Sequence, residues 1–235
     1  MASRRAFLHW LVGLGAVLAG CARRDQADDG APGSTGLEPS RSWQWQVRWI
    51  RDVPERRLIE GEDAWRLRLD GLVVAPRELT LGDLRALPAV SQRSRMRCVE
   101  GWSAPATWQG VLGSELFSLV ERRSGADYVT VHASDGYEST LPVAELAEAR
   151  SLFAFGMDDR PLPDVQGYPL RLVVPKLYGY KGVKAVTRLE FVDRRKPGFW
   201  ESRGYDDVGV IQPGRDLPLD LGGSRQIGGG EITEY

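Results

Sequence analysis

The sequence predicts an α+β fold with mixed β-sheets and short helices. Strand-like segments outnumber helical ones, and the helices are irregularly interspersed instead of alternating one for one with strands. That spacing excludes a doubly wound parallel sheet, and no internal repeat offers another architecture. Trp65–Asp70 alternates apolar and polar positions and stops at Gly71, the pattern of a half-buried strand. Thr80 caps a short helix over Leu81–Leu87, which Pro88 ends. Ser114–Arg123 repeats Leu116, Leu119 and Val120 at helical spacing before Gly125, and Pro142–Arg150 reads as one more helix. Tyr128–His132, Tyr137–Leu141, Leu152–Phe155, Leu170–Val174 and Ala185–Val192 read as strands by composition and alternation.

Four segments are expected: a signal peptide over 1–20, a tether over 21–42, a folded domain over 43–209 and a C-terminal tail over 210–235. Arg4 and Arg5 precede a mostly apolar run, Ala6–Gly20, that is shorter than the roughly 20 residues a spanning helix needs. Ser3-Arg-Arg-Ala-Phe-Leu8 resembles the twin-arginine motif, the address of proteins exported already folded. Leu18-Ala-Gly-Cys21 resembles a lipobox, which makes Cys21 a lipid attachment point after cleavage. Residues 22–42 hold almost no bulky apolar side chain and cannot bury enough surface to fold, so they read as a flexible linker holding the domain near a membrane face. Leu221–Gly230, with its glycine runs, reads as a mobile tail and not a phosphate loop, because no strand leads into it and no helix follows.

Composition narrows the chemistry. A hydrophobic fraction of 42% and a charged fraction of 27% are ordinary for a globular chain and exclude global disorder. The net charge of −1 leaves no positive field for nucleic acid. Two cysteines, Cys21 and Cys98, and two histidines, His9 and His132, are too few for a disulfide framework or a His-rich metal site. There is no GxGxxG loop, Walker loop, HExxH or GxSxG elbow. His132, Ser134 and Asp135 supply the letters of a hydrolase triad but are crowded at one strand end, so a partly buried histidine is the better reading. Cys98 lies between Arg95, Arg97 and Glu100, and nearby positive charge favours a thiolate. Two readings stand at this point: an inert buried cysteine, or a thiolate acting as nucleophile or soft-metal ligand.

Arg95-Met-Arg-Cys98-Val-Glu100-x-Trp102-Ser103, followed by Trp108-x-Gly110, resembles the molybdenum-binding segment of the sulfite oxidase family, most closely its bacterial periplasmic methionine-sulfoxide-reductase branch. Asp135-Gly-Tyr137, Gly156-Met157, Pro161-Leu-Pro163, Gly167-Tyr-Pro-Leu-Arg171-Leu-Val-Val-Pro175 and Tyr178-Gly-Tyr-Lys-Gly-Val-Lys184 are similar to that family in order and spacing. Gly198-Phe-Trp-Glu201 and Arg203-Gly-Tyr205 close the similarity, which spans about Trp65 to Asp207.

The resemblance implies a sulfite-oxidase-type mixed α+β domain binding one molybdenum-molybdopterin cofactor, with Cys98 as the metal's protein ligand. Arg171 matches the arginine that meets the pterin's polar edge or phosphate, and Gly182-Val183-Lys184 matches the phosphate cradle. An arginine fork, a lysine and close backbone approach at glycine all suit an anionic phosphate. A threonine of the branch falls here on Ala133, so its bond is lost or moves to Ser134. Gln166 replaces an asparagine and keeps the capacity to hydrogen-bond the pterin, and Arg51 is placed near the cofactor. Glu100 occupies the position of a carboxylate that shuttles a proton, with a plain surface glutamate as the alternative.

The implied activity is oxygen-atom transfer at molybdenum, with sulfoxide reduction ahead of sulfite dehydrogenation, and a cofactor-storing or cofactor-free lipoprotein as the alternative outside enzymes. The expected substrate is a small or protein-bound sulfur compound. Electrons are expected to pass through another protein, a membrane haem subunit or a c-type cytochrome, since no Cys-x-x-Cys-His haem attachment motif is present. The sequence stops before the dimerisation domain of true sulfite oxidases, so a monomer is expected, lipid-anchored outside the cytoplasmic membrane.

Overall fold

The computed structural model describes residues 62–234. Every described residue belongs to one compact unit. The signal segment, Cys21, the tether and Arg51 lie outside the described residues.

Two sheets carry the fold. The first joins β1 (Leu67–Gly71), β2 (Arg77–Leu79), β5 (Tyr128–Ala133), β6 (Glu138–Pro142) and β10 (Val186–Val192) in the order β2-β1-β10-β5-β6. Only β1 against β10 is parallel, so the sheet is mixed as predicted. The second is built on the path β12-β11-β4-β7-β8, from β4 (Trp102–Leu112), β7 (Leu152–Met157), β8 (Arg160–Pro161), β11 (Gly214–Pro218) and β12 (Arg225–Ile227). Off this path β3 (Ala89–Arg97) pairs with β4, and β9 (Arg171–Val173) with β7. Helices are short: α1 (Leu81–Ala86), α2 (Gly113–Phe117) and α3 (Val143–Leu146). Among the described residues no helix is long and apolar enough to cross a membrane.

Local chemistry explains the elements. Leu67 and Leu69 are fully buried while Arg68 is exposed, and each such leucine contributes roughly 1.5–3 kcal/mol of burial. Thr80 closes a capping box with Asp83 at the start of α1, as its position suggested. The main core collects Leu69, Val131, Leu189 and Phe191 from the first sheet with Val111 and Phe153 from the second, so it is shared by both sheets. A smaller cluster of Trp108, Ala154, Met157 and Val173 packs other side chains of β4, β7 and β9.

Two expectations are corrected. The helices expected over Ser114–Arg123 and Pro142–Arg150 shrink to α2 and α3, because turns through Ser118 and Ala147 end them early. The tail expected from residue 210 is part of the fold: β11 pairs parallel with β4, β12 pairs with β11, and Ile211, Ile227 and Ile232 form their own buried cluster. Buried charge pairing with β3 holds this segment, which an apolar pattern does not reveal.

Candidate active site

Cys98 sits at the tip of the β3–β4 hairpin. Arg97 faces Ser103 as the last strand pair, after which the Cys98 N–H donates to the Trp102 carbonyl (2.9 Å) and the Gly101 N–H to the Cys98 carbonyl (3.1 Å). Gly101 turns the corner at φ +103°, a backbone region that side-chain-bearing residues rarely adopt. Cys98 is half-buried and unpaired, with Sγ 3.6 Å from Oε2 of the exposed Glu100. The Trp102 indole N–H donates to that same oxygen (3.1 Å) and fixes the carboxylate beside the sulfur.

The expectation that Arg95 and Arg97 prepare a thiolate is corrected. Arg95 donates both guanidinium ends to Asp220 (2.7 and 2.8 Å), and Arg97 donates to Asp216 (2.9 Å) and to the Arg215 carbonyl (2.7 Å). Their charge is matched inside the fold. Burial pushes the Cys98 thiol up to about 11 and the charge of Glu100 adds to it; Arg97 still pulls the other way but is outweighed. Binding a metal cation at Sγ would favour loss of that proton.

A small cleft, open to solvent, is lined among others by Ser94 and Met96 of β3, Trp108 of β4, Arg171 of β9, and Tyr178 and Gly182. Arg171 is only 3% exposed and has no acidic partner among the described residues. Its guanidinium lies 4.7 Å over the Trp108 ring and donates to the Gln166 side-chain oxygen (2.9 Å), while its Nε has no partner. Burial alone pulls its pKa down to about 10. Ser94 Oγ and Trp108 Nε1 are likewise buried without partners. A buried unpaired cation with neighbouring unmatched polar groups fits an anionic, hydrogen-bonding ligand, and phosphate on a pterin is such a ligand. A Cβ on Gly182 would stand 3.1 Å from the Leu172 carbonyl and 3.9 Å from Arg171 Nη2, so glycine keeps the space beside the guanidinium open.

Of the expected residues, only Arg171 and Gly182 line this cleft. Gln166 holds Arg171 with its side-chain oxygen, a use the sequence did not indicate. Lys184 donates to the Val165 carbonyl (3.0 Å), and the Ser134 N–H donates to the Ala185 carbonyl (2.9 Å); neither lines the cleft, and they reach it only through the chain that follows Gly182. Val183 is a correction to the cradle: its side chain is fully buried in the main core and its carbonyl accepts from Leu172, leaving only backbone on offer. Cys98 and Glu100 do not line the cleft; a bridge between Arg97 and Tyr178 ties their hairpin to its rim. His132 sets both ring nitrogens against carboxylates, Glu138 and Glu190 (3.1 Å each), and Asp135 caps its own turn, so no triad forms. Ser94 was missed, yet strand periodicity places it with Met96 and Cys98 on one face of β3.

Comparisons with known proteins agree with this geometry. Residues 51–200 match the family described as the oxidoreductase molybdopterin binding domain. YedZ1 of Azospira oryzae, named as a protein-methionine-sulfoxide reductase subunit, is 32% identical over 88% of this chain and 87% of its own length. The protein-methionine-sulfoxide reductase catalytic subunit MsrP of Ralstonia nicotianae is 31% identical over 66% of this chain and 52% of its own. Among solved structures, the sulfane dehydrogenase SoxCD of Paracoccus pantotrophus shares the fold, with a TM-score of 0.57 and 22% identity over 72% of this chain and 46% of that one. Motif order, fold, an anion-ready cleft and these relatives converge: the chain belongs to the molybdopterin-binding oxidoreductase family.

Proposed function

We propose that this molybdopterin-dependent oxidoreductase reduces a sulfoxide, with Cys98 as the protein ligand to molybdenum and Arg171, Gly182 and Lys184 as the anchor of the cofactor's phosphate. The observation that carries the reading is the buried Arg171, with no acidic partner among the described residues, in a cleft whose rim is bridged to the hairpin of the free cysteine. When bound, the cofactor supplies a two-electron centre that exchanges an oxygen atom. Arg171 would bind the anionic end by its fork, Gln166 orients that fork, and the glycine gap would admit the ligand. Ser134 and Arg51 are assigned to the pterin from the sequence resemblance. Reducing a sulfoxide to a thioether consumes two electrons and two protons and releases water. Glu100, held by the Trp102 N–H, stores and delivers a proton at Oε2.

A neutral sulfoxide is favoured over sulfite by the arginines. Oxidising sulfite calls for a cationic pocket, but Arg97 is spent on Asp216 and Arg203 lies over the Phe199 ring at 3.7 Å. The names of the two relatives point the same way. Electrons enter from a separate electron-transfer protein. The chain is exported folded by its twin-arginine signal (1–20) and held at the extracytoplasmic face through lipidated Cys21 and the 21–42 tether.

The test is enzyme exported through its native signal, assayed for molybdenum and pterin, then given methionine sulfoxide with a reduced dye and sulfite with an oxidised one. Stoichiometric metal and faster sulfoxide turnover are expected. Metal-free protein, or a dominant sulfite rate, overturns the reading.

A further inference from the structure

A metal ligand on a hairpin tip is poorly placed by the hairpin alone. Beyond the Arg97–Ser103 pair only two backbone hydrogen bonds close the Cys98–Trp102 turn, while productive metal geometry tolerates errors of only about 0.5 Å. The C-terminal segment supplies what the turn lacks. Asp216 is 0% exposed and lies on β11, beyond the 51–200 span of the family match. Its Oδ1 accepts from Arg97 Nη1 (2.9 Å), and its Oδ2 accepts from the Ser103 hydroxyl (2.8 Å) and Arg225 Nε (3.1 Å). One carboxylate therefore grips both strands of the hairpin at the pair directly below the turn. Backbone bonds continue the hold: the Leu217 N–H donates to Gly101 (2.9 Å), inside the turn, and the Leu219 N–H to Ser103 (2.9 Å). Arg97 Nη2 donates back to the Arg215 carbonyl (2.7 Å), so the contact is reciprocal.

We propose that Asp216, acting through Arg97, is a positioning residue for the Cys98 ligand, and that residues 214–220 form a clamp that sets where the thiolate is presented. This rests on the reading of Cys98 as the molybdenum ligand. Asp220 provides an internal comparison. It holds Arg95 through a bidentate pair, where Asp216 takes only one end of Arg97, but two residues further from Cys98 and without any bond to the turn. A clamp specific to the ligand distinguishes the two aspartates, whereas general bracing of β3 does not.

The experiment uses holoenzyme of the full chain, comparing wild type with Asp216→Asn, Asp220→Asn, Arg97→Lys and Cys98→Ser. Three quantities are read: molybdenum per protein, the electron-paramagnetic-resonance signal of the half-reduced metal, and kcat against KM for a sulfoxide. D216N is expected to load metal to within about twofold of wild type, to shift the resonance parameters, and to lower kcat by about 10–100-fold at little-changed KM, the usual effect of losing a group that orients a metal ligand. D220N is expected to keep the wild-type resonance. A wild-type resonance and kcat in D216N overturns the proposal, as does a D220N change equal to that of D216N. If D216N does not load, R97K, which keeps the charge but loses the fork, is read in the same way. If neither loads, Asp216 is a folding residue and the proposal is overturned. C98S separates the two readings: a wild-type resonance in C98S removes Cys98 as ligand, whereas a changed C98S signal beside an unchanged D216N removes only the clamp.

Discussion

Arg171 concentrates the chemistry of the site in one side chain. Because burial lowers its pKa to about 10, folding disfavours the charged form. The penalty is fully present at every pH below about 10 and lifts only above it. It is on the order of 3 kcal/mol at neutral pH, taking about 1.4 kcal/mol for each pH unit. The Trp108 face and the Gln166 oxygen offset part of it. An anion in the cleft offsets the rest, which couples folding of this region to cofactor binding. Arg171→Met should therefore leave the cofactor-free protein at least as stable, with a calorimetric melting temperature raised on the order of 5 °C. The same variant should retain almost no molybdopterin when purified from a cofactor-making host. A large fall in the cofactor-free melting temperature would identify Arg171 as a structural partner and remove it as the anchor.

The element that presents the cleft's other wall is the short turn Tyr178–Gly182, which packs through polar rather than apolar contacts. Lys181, 1% exposed, reaches Glu201 and the Asp207 carbonyl, Ser139 donates to the same glutamate, and the Tyr137 hydroxyl donates to the Tyr180 carbonyl. Removing one partner of such a buried pair strands the other. Lys181→Met should cost about 3–5 kcal/mol in urea unfolding, and the double change with Glu201→Gln should recover at least 1 kcal/mol of the summed single losses. Strict additivity would show that the pair is not coupled. These polar interiors also explain what the sequence concealed. β1 and β5 alternate in sequence and β10 is rich in apolar β-formers, so these strands were readable, while Cys98, Arg171 and Gly182 stood out only through the motif resemblance. β3 and β4, whose connecting turn carries Cys98, were not readable. Gln92, Ser94, Arg95 and Arg97 of β3 are buried polar groups, and Pro105 and Gly110 interrupt β4, so period-two hydrophobicity is absent where the strands are longest. Gly-rich 221–230 hid β12 in the same way, since it offers a single buried apolar side chain, Ile227, and its other hold is Arg225 on Asp216.

At the scale of the molecule, the C-terminal segment decides whether the second sheet closes. β4 has β3 along one edge, and its other edge is shared by β11 at the Trp102 end and β7 at the Leu112 end. Removing β11 and β12 would expose the free edge at Trp102–Ser103 and strip Asp216 and Asp220 from Arg97 and Arg95, which are 6% and 0% exposed. Each stranded guanidinium costs about 3–5 kcal/mol, and the two together are comparable to the 5–15 kcal/mol that holds a typical domain folded. A chain ending after Ile211 still contains every residue of the family match, yet it should show no cooperative unfolding transition by circular dichroism. Adding Arg95→Met and Arg97→Met to that truncation removes the buried charge and should restore a broad, low-temperature transition. The edge would remain open and the Ile211, Ile227 and Ile232 cluster would still be lost, so the restored protein should be less stable than the full chain. A truncated chain that unfolds cooperatively at the full-length temperature would show that the segment is an appendage, and that the buried arginines find water or other partners when their aspartates are gone.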